Sequence, residues 1–249
     1  MSLLSTLMRV EMILRHVLYV SYFVPASRVR PLVPDVLPLA IVGRDGAFVS
    51  VVIMQSTGVR FTPLPFLRFT YSQVNLRTYV TDPHSGNQAV YFLNSGVTSL
   101  PISLLVRTIH IPWEHISFDL KVKSDDHRHY VSYEASGHWR RDFSITAEET
   151  TMPLAQMPPF SDTQAAIDYL VRPLLGFFTH HGQLRRVSIR HQEVTPLAGQ
   201  VHRFHFPILD SLNVVEKAMI ESPHSVFFVP CARFYIYMTR VPVTLGQSA

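Results

Sequence analysis

The sequence predicts a single domain of α+β class, dominated by antiparallel strands. Three observations lead there. Residues 69–80 alternate with period two, and after the turn signal at 82–87 a second β-rich run returns through 88–94, the pattern of a hairpin. Further short β-rich runs recur along the chain, while only two long segments carry a helical stripe. No low-complexity linker and no internal repeat divides the 249 residues, so one domain over 1–249 is the economical reading. Within it, residues 1–8 read as a frayed or added terminus, with Met8 an alternative start.

The elements follow in order. Residues 16–24 form a first strand, and 25–34 a short helix or turn closed by prolines. Gly43 to Gly46 signals a turn before a buried strand at 47–55, and Pro63 and Pro65 make 61–67 a loop. Thr98 or Ser99 caps a helix over 98–110 with Pro101 in its first turn. Its stripe is Ile102, Leu105, Val106 and Ile109, and Pro112 stops it. Strands are expected at 118–123, 130–137 and 141–146, the first two joined by a turn at 125–129. Ser161 to Gln164 has capping-box spacing and opens a second helix running to Gly182, kinked or split at Pro173. Strands at 184–191, 200–207 and 226–239 complete the chain, with a short helix at 210–219.

Composition narrows the function classes. Hydrophobic residues make up 47% and charged residues 16%, enough for a large core and too apolar for disorder. The net charge of +4 is spread along the chain, with no basic stripe of the kind a nucleic-acid partner needs. Arg140-Arg141 and Arg185-Arg186 are isolated pairs, read as solvated edges or partners of carboxylates. The single cysteine, Cys231, excludes an intrachain disulfide and suits a reducing, cytoplasmic setting; its apolar surroundings suggest a core position. Arg9, Glu11, Arg15 and His16 interrupt the early apolar run, so neither a leader nor a membrane span is expected.

The strand at 69–80 carries the functional argument. One face reads Thr70, Ser72, Val74, Leu76, Thr78 and Val80; the other reads Phe69, Tyr71, Gln73, Asn75, Arg77 and Tyr79. Aromatic rings, two amides and a guanidinium on one face either line a polar pocket inside a closed sheet or look out to water.

Several segments together resemble the acetoacetate decarboxylase-like superfamily, and within it the bacterial DUF2071 or YqjF-like group. They are Val33 to Leu37, Tyr71 to Val80, Ala89 to Leu93, Arg107 to Trp113 and Leu184 to His191. The block from Asn75 to Val80 is the most specific. The resemblance implies a mainly antiparallel, cone-like β-barrel with a few peripheral helices and a small ligand inside. It turns Tyr71, Gln73, Asn75, Arg77 and Tyr79 toward that cavity, and it makes self-association an open possibility.

In the decarboxylases a neutral lysine forms a Schiff base with a β-keto acid, and the iminium accepts the electrons left when carbon dioxide departs. Here only Lys121, Lys123 and Lys217 exist, and the tandem-lysine position falls near Trp113-Glu114. Gln73 stands where the family often has glutamate, and Phe23 where the decarboxylases carry arginine. Lys121 and Lys123 share a face with Asp119 and are expected in solvent. Schiff-base decarboxylation is therefore expected to be absent.

Arg77 is the sharpest candidate: inside a barrel it would need a carboxylate, from a ligand or from a structural partner such as Glu114 or Glu134. Tyr71, Gln73, Asn75 and Tyr79 would position a ligand or form a cross-strand cluster. Trp113 would lie at the edge of the site. Glu114, beside an indole, is the candidate acid or base, although a strand would point it away from His115. His127 and His129, His202 and His205 lack metal-site spacing, and His180-His181 suits the C-terminal end of a helix. No phosphate loop, nucleophile elbow, metal site or cofactor motif is present. The expected function is binding of a small organic ligand, a carboxylic or keto acid. The alternative is a lyase, hydratase or isomerase using Glu114 in the same cavity. A third reading is an assembly protein with a filled barrel.

Overall fold

The computed structural model describes residues 8–62, 64–127, 129–151 and 157–238. Twelve strands and four short helices alternate along them. The strands are β1 (Met8–Pro25), β2 (Gly46–Phe61), β3 (Leu64–Thr81), β4 (Gln88–Val97), β5 (Trp113–His115), β6 (Ser117–Ser124), β7 (Tyr130–Trp139), β8 (Arg141–Glu149), β9 (Leu175–His180), β10 (Gln183–His191), β11 (Leu197–His205) and β12 (Ser225–Met238). The helices are α1 (Ala26–Val29), α2 (Leu100–Thr108), α3 (Thr163–Leu170) and α4 (Pro207–Leu212).

Pairing runs β1-β2-β3-β4-β9-β10-β12 and returns from β12 to β1, a closed circuit of hydrogen-bonded neighbours. Every link is antiparallel except β4–β9. β5 pairs in parallel with β4. A second antiparallel sheet, β11-β8-β7-β6, continues from the other end of β12.

The near-continuous apolar run of β2 reflects burial on both of its faces. Ala47, Val49, Val51 and Ile53 pack with Tyr133 and Ala135 of β7 and Ile145 and Ala147 of β8. Phe48, Val52 and Met54 belong to a second core with Ile102 and Val106 of α2 and Ile167 and Leu170 of α3. β3 divides the same way: Val74, Leu76 and Val80 join the first core, Tyr71 and Tyr79 the second. In β1 the register shifts between Arg15 and Leu18, where His16 takes φ 52°. This extra residue reverses parity. Val10, Met12 and Leu14 face the second core from even positions, and Val17 and Tyr19 from odd ones.

The structure corrects several expectations. β1 begins at Met8, because the charges at 9, 11 and 15 alternate with the buried Val10, Met12 and Leu14. The expected loop at 61–67 is mostly strand: β2 runs to Phe61 and β3 starts at Leu64, while Pro63 lies outside the described residues. The helix opened at 161–164 stops at Leu170, capped at its start by Asp162, which accepts from the Ala165 amide at 2.7 Å. Pro173 ends helical bonding, and the chain beyond it becomes β9, the strand that completes the circuit. His180 and His181 consequently sit at a strand turn rather than a helix end. α2 and α3 each bury one side on the second core, on the side of β2 and β3 away from β7 and β8, while Leu100 and Leu104 of α2 stay exposed. Cys231 is exposed, not core; it pairs with Arg15 beside the β1 bulge. Arg128 of the turn at 125–129 lies outside the described residues.

Two contacts make this framework testable. Gly137 of β7 pairs with Phe118 of β6, and a Cβ there would come within 2.2 Å of the Ser117 carbonyl oxygen and 2.4 Å of the Phe118 Cα. Backbone cannot yield as a side chain does, so Gly137→Ala should cost about 1–3 kcal/mol in urea unfolding, the usual range for overpacking. The second is Asp82, whose side chain is wholly buried at the β3–β4 turn. It accepts from Ser85 Oγ at 2.7 Å, the His84 amide at 3.2 Å and Arg186 Nη2 at 3.0 Å. Burial alone would raise its pKa, but these donors outweigh burial and hold it below the ordinary 3.8. A carboxyl depressed on folding stabilises above its unfolded pKa and loses that contribution as pH falls through the folded one. The stability gap between wild type and Asp82→Asn should therefore be full above about pH 5 and shrink under acid titration.

Candidate functional site

A cavity of about 240 Å³ opens inside the strand circuit. Its polar side is built by β3, β4 and β5: Gln73, Asn75, Arg77, Asn94, Ser95 and Glu114. β1, β2, β10 and β12 supply hydrocarbon, aromatic and thioether side chains opposite.

The odd-numbered row of β3 is thus turned inward, but not all of it reaches the cavity. Gln73, Asn75 and Arg77 do; Tyr71 and Tyr79 do not line it. Tyr71 is buried with its ring 6.3 Å from that of Trp113, and its hydroxyl lies beside Ser56. Burial pushes that phenol well above its ordinary pKa. Tyr79 donates to the Leu170 carbonyl at 2.9 Å and lies 2.9 Å from Ser50 Oγ, which itself bonds Ser21 Oγ at 2.7 Å. It is a structural link between β2, β3 and α3. Gln73 Nε2 donates to Asn75 Oδ1 at 2.8 Å, so the two amides orient each other along the strand.

Arg77 is the electrostatic centre. Its Nη2 donates to the Leu170 carbonyl at 2.6 Å, at the last residue of α3. That carbonyl lies at the negative end of the helix, which favours a cation. The guanidinium also lies 5.2 Å from the Tyr19 ring centroid and 5.5 Å from that of Tyr79, distances at which a ring face attracts a cation. Its Nε is buried without a hydrogen-bond partner. Arginine keeps its proton at physiological pH, yet among the described residues no carboxylate pairs with it.

The structural partners proposed from sequence are engaged elsewhere. Glu114 accepts from Trp139 Nε1 at 2.9 Å and from Arg140 Nη2 at 2.5 Å, while Glu134 accepts from Ser132. Glu114 and Trp113 both line the cavity, on the short strand β5 rather than a loop, and His115 is exposed. Lys121, Lys123 and Lys217 are exposed, and none lines the cavity. Phe23 packs 5.1 Å from the Phe48 ring centroid and is not part of the lining. His129 pairs with Glu149, and His202 with Glu148. Among the described residues no group of three His, Cys, Asp or Glu is placed to hold a metal ion. No helix there is long and apolar enough to cross a membrane.

Sequence reasoning missed Tyr19, Asn94 and Ser95. The parity reversal at His16 hides Tyr19, because an unbroken count puts the inward face of β1 on even positions. Pairing outward from the β3–β4 turn was available, but a register shift after Leu76 places Ser95, not Asn94, opposite Asn75.

The Arg77 environment separates a structural role from a ligand role. Arg77→Met removes a charge whose burial costs several kcal/mol, and Tyr79 still bonds the Leu170 carbonyl. Ligand-free stability should stay within about 1 kcal/mol of wild type in urea unfolding. A loss of about 3 kcal/mol or more would mark Arg77 as a structural pin. Tyr79→Phe should cost about 1 kcal/mol, one ordinary hydrogen bond, because Leu170 and Ser50 each retain another partner.

Comparison with solved structures gives the fold's relatives. The enduracididine biosynthesis enzyme MppR complexed with pyruvate aligns with a TM-score of 0.54 at 13% identity, covering 99% of this chain and 93% of that one. Acetoacetate decarboxylase from Legionella pneumophila gives 0.54 at 12% identity, covering 96% and 88%. An acetoacetate decarboxylase-like enzyme from Sphingomonas wittichii RW1 gives 0.55 at 14% identity, covering 96% and 93%. Identities this low show a shared fold. No curated protein matches the sequence. Residues 11–232 match DUF2071, described as an uncharacterized conserved protein, and with most of its length inside that match the chain belongs to the DUF2071 family, on an acetoacetate decarboxylase-like fold.

Proposed function

We propose that the chain binds a small carboxylic or keto acid, with the strand circuit forming a cone-like barrel around it and Arg77 taking the acid group. The observation that carries this is a guanidinium on a cavity wall with no carboxylate partner among the described residues. Burying such a charge is costly, and a ligand carboxylate would answer it with paired, charge-assisted hydrogen bonds. Gln73 and Asn75, ordered by their mutual hydrogen bond, offer amide groups along the ligand's edge. Trp113 would cover its flank from β5. The structural neighbour MppR is complexed with pyruvate, a small keto acid, which agrees with this ligand class. Imine chemistry lies outside the proposal, since an imine needs a neutral amine in the cavity and the three lysines are on the surface.

One observation keeps a second reading: Glu114 is among the residues that line the cavity. It would serve there as acid or base in a lyase, hydratase or isomerase. Its contacts with Arg140 and Trp139 favour the first reading, because both are donors that occupy its oxygens.

Titration calorimetry with pyruvate and short carboxylic acids, followed by turnover assays on every binder, tests both. Arg77→Gln should weaken binding by about ten- to a hundredfold, the worth of hydrogen bonds to a charged group. Glu114→Gln should leave it unchanged. Undiminished binding in Arg77→Gln would sink the first reading, and turnover that collapses in Glu114→Gln would establish the second.

A further inference from the structure

The chemistry of the lining goes further than a generic acid site. Resting on the Arg77 reading above, we infer that the ligand is an amphipathic monocarboxylate: one acid head at Arg77 and a hydrocarbon or aryl body lying against the wall made by β12, β1 and β2.

Charge sets the number of heads. Among the described lining residues Arg77 is the only cation, and the only other charged group, Glu114, is already paired with Arg140. A second carboxylate on the ligand would find no second cation among the described lining residues: near Arg77 it would meet neutral amides and hydroxyls beside Glu114, and on the far wall hydrocarbon, so it would be buried without charge compensation. Dicarboxylates are therefore selected against by the same arrangement that accepts one acid group.

The apolar wall sets the body. Opposite the polar side stand Met12, Leu14, Met54, Phe234, Ile236 and Met238, with no ionisable group among them. A sugar, a nucleotide or a polyhydroxy acid would leave its hydroxyls unpaired against this wall, whereas methylenes gain from burial there. Three of the six are methionines, flexible and polarizable, so the wall should adjust to bodies of different shape.

Volume sets the length. A cavity of about 150 Å³ lined by apolar side chains holds benzene, and this one measures about 240 Å³. An organic molecule of about ten non-hydrogen atoms packs into the same space, the size of an eight-carbon monocarboxylic acid.

The test is a calorimetric series on the wild-type chain, so no variant has to fold. The probes are acetate, butanoate, hexanoate, octanoate and dodecanoate, with octanedioate and octanol as controls and pyruvate as the small reference acid. From butanoate to octanoate, affinity should rise about fourfold for each added methylene, the gain from burying one such group. It should level off or fall for dodecanoate. Octanedioate and octanol should each bind at least about tenfold more weakly than octanoate, through the misplaced second charge and the lost acid head. If pyruvate or acetate binds but affinity does not grow with chain length, or if octanedioate equals octanoate, this inference falls and the simpler acid site stands. If no carboxylate of any length binds, or octanol matches octanoate, the Arg77 reading falls with it.

Discussion

Strand alternation, imposed on β1, β2 and β3 while both of their faces are covered, is the constraint on which the site depends. One row of each strand must satisfy the core against β7 and β8, and the other must satisfy the interior shared with α2 and α3. A one-residue slip would exchange the rows. On β3 it would take Gln73, Asn75 and Arg77 out of the cavity and drive Val74 and Leu76 into it. The apolar row is thus what holds the polar row in place. The bulge at His16 does the same for β1, bringing Tyr19 inward where an unbroken strand would have turned it to the opposite core.

Arg77 is held by parts of the chain far apart in sequence. The Leu170 carbonyl, 93 positions away, receives both Arg77 and Tyr79, and the Tyr19 ring approaches from β1. This preorganises the guanidinium without neutralising it. A carbonyl and two rings lower the cost of the charge, but they carry no full negative charge of their own. Arg186, by contrast, lies beside the carboxylate of the buried Asp82. The contrast between these two arginines supports the proposal that Arg77 serves a ligand, while Arg186 belongs to the framework.

Much of the framework was legible locally. The hairpin around 82–87, the Ser99 cap of α2 and the meander β6-β7-β8 are written in turn residues, a capping side chain and alternation, each confined to a few neighbouring positions. The segment after Pro173 is locally ambiguous for a physical reason: Leu174, Phe177 and Phe178 suit a helical stripe or a buried strand equally well over so short a run. Its identity as β9 comes from the neighbours it joins, β4 and β10. Cys231 was misplaced in the core for a related reason, since its exposure follows from register at the β1 bulge and not from its apolar neighbours.

The sequence by itself determined that Phe69, Tyr71, Gln73, Asn75, Arg77 and Tyr79 share one face, because side-chain alternation is a property of the strand alone. It also determined how little lysine the chain has and where it lies in the order of residues. Only the tertiary structure decided that this face looks inward, that its middle three residues reach a cavity while Tyr71 and Tyr79 are absorbed by packing, and that Glu114 is committed to Arg140. Those outcomes depend on which distant groups arrive beside each side chain. Burial and partnering are set by contacts across the whole fold, which no local pattern encodes.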